Sequence, residues 1–209
     1  MIKSPVKKPG RSAAFALPNI LTYARIAAIP AACFLLYTRD ELYSRNIACL
    51  LFFLAGITDY FDGYLSRKMN ITSEIGRFLD PIADKLLVAA MLVSMAQVKF
   101  VTPFETSLAI IIISREIFVS GLREYLGGRK VKMPVSILAK WKTATQLLSI
   151  GFLVFGRNYP IIFAPSFADR ALFDIYIAGV ALLFISCVLT IITGWQYLRA
   201  AIRHMKDWD

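Results

Sequence analysis

The chain alternates long apolar runs with short polar connections that are mostly basic. Six runs, at about 17–38, 44–66, 80–98, 105–126, 136–156 and 171–198, reach the length at which an α-helix crosses a bilayer. None alternates apolar and polar positions with a period of two, so the other structure able to span lipid, a closed β-barrel, is excluded. The pattern predicts an all-α integral membrane bundle of six transmembrane helices. No long linker, repeat or low-complexity tract divides it. One membrane domain over 17–200 is expected, between a basic N-terminal arm at 1–16 and a short tail at 201–209.

Composition agrees with a membrane location. Of 209 residues, 57% are hydrophobic, and the mean hydropathy is +0.60. The formal charge is +10, with 24 Lys and Arg against 14 Asp and Glu. For so apolar a protein, nucleic acid is a poor partner. Anionic lipid headgroups, orientation signals and a phosphorylated substrate account for the charge better. Cations crowd the arm, the second and fourth connections (Arg67, Lys68, Arg77; Arg129, Lys130, Lys132) and the tail. With six spans these segments share one side, so both termini are expected to be cytoplasmic. The basic N-terminus lacks a small-residue cleavage site, and no cleaved signal peptide is expected. Cys33, Cys49 and Cys187 stand apart in apolar stretches and read as small buried hydrophobes.

Four aspartates break this economy. Asp59 and Asp62 stand three apart at the end of the second span, and Asp80 and Asp84 stand four apart at the start of the third. Both spacings put a pair of carboxylates on one helical face. Antiparallel neighbours would let the pairs face each other, where they repel unless cations neutralise them. Hard divalent ions with oxygen ligands, Mg²⁺ or Mn²⁺, suit such a site, and two of them make a clamp for phosphoryl transfer. Gly63 and Gly76 would let the backbone approach a bulky substrate, and Arg67 could pair with a phosphate or an aspartate. The plainer alternative is a set of interfacial acids paired with Arg67, Arg77 and Lys85.

The spacing resembles the CDP-alcohol phosphatidyltransferase family, which carries D-x2-D-G-x2-A-R, eight or nine residues, then G-x3-D-x3-D. Here Asp59, Asp62, Gly63 and Arg67 are followed by an eight-residue gap and by Gly76, Asp80 and Asp84. Ser66 replaces the usual alanine, a change that touches only local packing. The resemblance implies an enzyme with two divalent metals held by Asp59, Asp62, Asp80 and Asp84 at the pyrophosphate of a CDP-linked lipid. It implies Asp84 as general base for the incoming alcohol, and CMP as leaving group. Gly63, Arg67 and Gly76 would line the nucleotide, beside Asp59, Asp62 and Asp80.

The remaining cations bear on the acceptor. Arg115 lies inside the fourth span, where a charge is costly and marks function by default. Arg123 follows two turns later, and Lys140 and Lys142 open the fifth span. Together they read as a pocket for an acceptor phosphate. Lys140 and Lys142 read equally well as snorkelling interfacial residues, and Arg115 as a structural partner of Glu116 or a neighbouring helix. Asn19, Thr22 and Arg25, near the mouth of the first span, fit substrate contact. Capping and packing explain Asn19 and Thr22 as well, and snorkelling Arg25.

Three stretches, LPNILTYAR at 17–25, ISREIFVSGLREYL at 113–126 and AKWKTATQ at 139–146, are similar to the bacterial branch of the family that makes phosphatidylglycerophosphate. That branch implies CDP-diacylglycerol and sn-glycerol 3-phosphate as substrates, a homodimer, and the bacterial cytoplasmic (inner) membrane. Phosphatidylglycerol or an inositol phosphate are the other acceptors to weigh. An ion or anion transporter is the alternative of another class. It would spread polar residues to the far side of the membrane, whereas these charges gather at one face.

Overall fold

The computed structural model describes residues 17–38, 41–69, 74–128, 137–156 and 167–206. Within these, the side chains at 17–18, 41–42, 59–69, 74–75, 77, 167–170 and 205–206 lie outside the described residues. So do the basic arm at 1–16 and the loop cations Arg129, Lys130 and Lys132. Among the described residues every regular element is helical: α1 (Leu17–Tyr37), α2 (Glu41–Met69), α3 (Glu74–Gln97), α4 (Pro103–Gly128), α5 (Ile137–Gly156) and α6 (Phe167–Lys206). The all-α expectation holds.

Helix edges differ from the apolar edges in an informative way. The apolar run of α3 begins near 80, but the helix starts at Glu74. α6 likewise overruns 171–198 at both ends, from Phe167 to Lys206. Hydropathy marks the part of a helix that needs an apolar solvent, while backbone hydrogen bonding continues into polar sequence. The consequence matters for the site. Asp59, Asp62, Gly63 and Arg67 all ride on one helix, α2, and Gly76, Asp80 and Asp84 all ride on the next, α3.

The helices close into a ring. α1 touches α2 and α3; α2 touches α5, which packs on α6; α6 packs on α4, and α4 returns to α3. α3 also meets α2 and α5 across the ring, so the helix carrying two of the aspartates has neighbours all round. The α5–α6 seam is a close crossing. A Cβ at Gly156 would come within 2.5 Å of the backbone nitrogen of Tyr176, so only glycine permits this approach.

The turn between α3 and α4 is built from two end motifs. Phe100 N–H donates to the Met95 carbonyl (2.9 Å) and Lys99 N–H to that of Ala96 (3.2 Å), with Lys99 left-handed at φ 57°. This is a Schellman ending. Thr102 and Glu105 then form a capping box: Thr102 N–H donates to Glu105 Oε2 at 2.6 Å, and Glu105 N–H reaches Thr102 Oγ1 at 3.4 Å. Pro103 occupies the first helical position, where its missing N–H costs nothing. Glu105 is buried and accepts the Tyr176 hydroxyl of α6 at 3.0 Å.

The bundle has an apolar core, with Phe52, Met91, Leu92, Ile112, Leu153 and Leu183 fully buried, yet polar side chains are buried beside it and large apolar ones cover the outside. Its interior holds Asn19, Thr22, Arg25, Lys142, Gln146, Ser149, Ser186, Thr190 and Thr193, while Phe34, Leu50, Val93, Ile110, Ile117, Phe118, Phe184 and Trp195 point outward. Among the described residues, two helical stretches are long and apolar enough to cross a membrane, Asn19–Tyr37 and Ala171–His204. Elsewhere charge enters the apolar runs, as Lys85 in α3, Arg115 and Glu116 in α4, and Lys140 and Lys142 in α5.

Candidate active site

The buried polar residues of α1 recur on one face. Asn19, Thr22 and Arg25 share a stripe with the apolar Ile29, Ala32 and Leu36, at the three- and four-residue spacing of a packed helix face. The polar end of this stripe lies against the two acids of α3. Thr22 Oγ1 donates to Asp80 Oδ1 at 2.7 Å, and an Arg25 guanidinium nitrogen pairs with Asp84 Oδ1 at 2.7 Å. The Arg25 side chain is 0% exposed and that of Asp84 is 48% exposed. The arginine is thus structural on its buried side, and the carboxylate it holds looks outward. Of the alternatives for Thr22 and Arg25, capping, snorkelling or substrate contact, the structure gives a further answer: both hold an aspartate.

Asp84 opens on a cavity of about 230 Å³ between α3, α4, α5 and α6. Its polar lining includes Lys85, Arg115, Glu116, Ser120, Arg123 and Lys142, with Thr143, Gln146 and Tyr197. Three of the four cations assigned to an acceptor pocket, Arg115, Arg123 and Lys142, therefore meet in one space beside Asp84. Lys140 is exposed and is not among the lining residues. Residues two apart on a helix point to nearly opposite sides, so Lys140 and Lys142 cannot share a face.

Each cation of the cavity has a fixed partner. Arg115 donates one nitrogen to Glu116 Oε1 (3.1 Å) and another to Thr193 Oγ1 (2.7 Å). Lys142 Nζ, from α5, reaches the same Glu116 oxygen at 2.5 Å. Arg123 donates to the Tyr197 hydroxyl and lies 4.6 Å from the centre of its ring, with Arg115 at 5.7 Å. Lys85 donates to Ser120. The wall supplied by α6 is shaped for Arg115: a Cβ at Gly194 would sit 3.1 Å from Arg115 Cγ and 3.2 Å from its Nε. The structural pairing of Arg115 with Glu116 and the pocket role are therefore not exclusive.

Lys85, Ser120 and Tyr197 escaped sequence reasoning. Lys85 looked like an interfacial counter-ion of the aspartates, and a single tyrosine among nine carries no positional signal. The two-turn spacing from Arg115 to Arg123 was the usable clue, because whatever stacks between them must lie on the facing helix.

Asp59, Asp62, Gly63 and Arg67 are placed on α2 by its backbone, and their side chains lie outside the described residues. Gly76 is buried in the first turn of α3. Among the described residues no three His, Cys, Asp or Glu side chains converge. Asp80 and Asp84 offer what a hard divalent ion requires, carboxylate oxygens one turn apart on a single helix face. Each is also held by a second residue, as ligating carboxylates generally are. These two carboxylates fit part of the oxygen ligand set that a divalent ion would take.

An all-helical bundle with paired aspartates on adjacent helices and a cationic cavity beside them defines a class, and comparison of the whole chain gives it a name. The model of the CDP-alcohol phosphatidyltransferase family matches residues 15–192, and the chain belongs to that family. Its relatives include CDP-diacylglycerol–glycerol-3-phosphate 3-phosphatidyltransferases. That of Rickettsia bellii is 42% identical over 90% of this chain and 96% of its own length. The Haemophilus influenzae enzyme is 40% identical over 92% and 97%, and the Bacillus subtilis enzyme 35% over 93% and 96%.

Proposed function

We propose that the protein transfers the phosphatidyl group of CDP-diacylglycerol to sn-glycerol 3-phosphate, giving phosphatidylglycerophosphate and CMP. The observation that carries this reading is the placement of Asp84 at the mouth of a cavity whose other walls bear Lys85, Arg115, Arg123 and Lys142. A base and an anion pocket side by side suit an acceptor with a free hydroxyl at one end and a phosphate at the other. The names of the relatives in three distant organisms specify the same pair of substrates.

In this reading the acceptor hydroxyl attacks the lipid-bearing phosphorus. A new P–O bond forms as the bond to the pyrophosphate bridging oxygen breaks, and CMP leaves with that electron pair. Asp84 takes the hydroxyl proton and passes it to solvent. Its pairing with Arg25 holds the carboxylate at the cavity. Asp59, Asp62, Asp80 and Asp84 would hold two divalent cations, Mg²⁺ or Mn²⁺, which supply charge neutralisation at the pyrophosphate. Gly63, Arg67 and Gly76 would line the nucleotide. An apolar groove of about 320 Å³, lined by Phe52, Phe53, Gly56 and Ile57 of α2 with Leu147 and Leu148 of α5, begins two residues before Asp59. It suits an acyl chain of the lipid donor.

All six helices cross the membrane in this proposal, with the site at the cytoplasmic side. The outward apolar side chains and the gathering of cations at one end support that placement. The test uses purified protein in mixed micelles. CMP should be released from CDP-diacylglycerol only with a divalent cation and only with glycerol 3-phosphate present, with phosphatidylglycerophosphate as the lipid product. Lipid product from phosphatidylglycerol or an inositol phosphate, and none from glycerol 3-phosphate, would overturn the acceptor assignment.

A further inference from the structure

Arg115 and Lys142 come from different helices, carry like charges and line one cavity, yet the structure holds them side by side. One atom does this: Glu116 Oε1 accepts from Lys142 Nζ at 2.5 Å and from an Arg115 guanidinium nitrogen at 3.1 Å. Glu116 is itself a lining residue of the cavity, with a side chain 17% exposed. Arg115 has its other terminal nitrogen fixed by Thr193, so both ends of its fork are oriented from α4 and α6. Lys142 is 93% buried in the protein and has Glu116 as its carboxylate partner.

We propose that Glu116 is the positioning residue of the acceptor pocket, presenting Arg115 and Lys142 as one preorganised anion receptor before the acceptor arrives. The proposal rests on the reading of this cavity as the site of a phosphate-bearing acceptor, and it deepens that reading. A phosphate monoester offers several oxygens to donors on two walls. Binding it costs least when those donors are already aligned and their mutual repulsion is already offset. Without the carboxylate, two cations face each other in a partly desolvated space, and the buried ammonium loses its counter-charge. The receptor would then have to assemble around each acceptor molecule. The CDP-lipid reaches the protein through the aspartates of α2 and α3, and needs none of this.

Kinetics on the full-length enzyme separate the roles. Wild type, Glu116→Gln and Glu116→Asp are compared, with KM and kcat measured for both substrates and melting temperature followed in detergent. Glu116→Gln should raise the KM for glycerol 3-phosphate about tenfold or more, the scale of one lost charge-assisted hydrogen bond. kcat should stay within about threefold and the KM for CDP-diacylglycerol should not move, since no transition-state contact is lost. Inorganic phosphate should weaken as a competitor of the acceptor by the same factor. Glu116→Asp, which keeps the charge, should recover part of the affinity. An acceptor KM that is unchanged, a matched rise in both KM values, or a fall in kcat alone would overturn the positioning role. So would an aspartate variant no better than the glutamine one. Failure of the wild type to make lipid from glycerol 3-phosphate would instead sink the acceptor reading itself, so the two failures are distinct.

Discussion

At Asp84 the proposed function places two demands on one carboxylate, a share in metal binding and receipt of a proton, and the residue beneath it, Arg25, holds it turned outward. Thr22 does the lesser version of this at Asp80. Replacing Thr22 by valine keeps its shape and removes only the hydroxyl. The expected result is Mn²⁺ binding weakened about tenfold without substrate present, the usual cost of losing an outer partner of a ligating carboxylate. An unchanged Mn²⁺ affinity with a raised KM for the CDP-lipid would put Thr22 on the substrate instead. At this scale the sequence was legible where helix pitch puts residues on one face: Arg115 and Arg123 do meet in one cavity, beside Asp84. It was not legible where one residue acts through another. Nothing in the residues around Thr22 says that it meets Asp80, 58 positions away, and nothing around Tyr197 says that it receives Arg123.

Helices in this protein have working ends and structural ends. The working ends of α3, α4, α5 and α6 converge on the cavity, with α1 holding Asp84 from behind, while the opposite ends of α3 and α4 are fixed by the Schellman turn, the Thr102–Glu105 capping box and the Tyr176 hydroxyl. Glu105→Ala removes both a cap and the acceptor of a buried hydroxyl. It should cost about 2 kcal/mol or more of stability, read as a lower melting temperature, with kcat per folded molecule retained. Loss of kcat without loss of stability would mean that this end communicates with the site. The capping signature T-P-F-E is plain in the sequence, but its second use, as the anchor of α6, is not. Element edges were misplaced for a related reason: the apolar pattern ends where lipid ends, and α3 and α6 continue as helix beyond it.

As a whole the molecule is apolar on its outer surface, with phenylalanine, isoleucine and leucine exposed around an interior that combines an apolar core with buried serine, threonine, arginine and lysine. Such a body is stable only where its outer surface meets hydrocarbon. The proposed orientation predicts opposite accessibility for the two ends. In a variant with Cys33, Cys49 and Cys187 replaced by alanine, Gln97→Cys should react with an impermeant maleimide added to intact spheroplasts. His204→Cys should react only after permeabilisation, and the reverse pattern would invert the topology. The sequence by itself determined the helical class, the carboxylate pairs that began as an anomaly in an apolar chain, and the sign of the pocket. Each follows from a local rule: the length of an apolar run, the pitch of a helix, the cost of a charge in lipid. Only the tertiary structure decided which cations work together. It brought Lys142 and left Lys140 outside, added Lys85 and Tyr197, and set Glu116 between two positive charges. Those choices depend on how four helices rotate and cross, and on close contacts such as Gly194 against Arg115, which no periodicity along a single helix records.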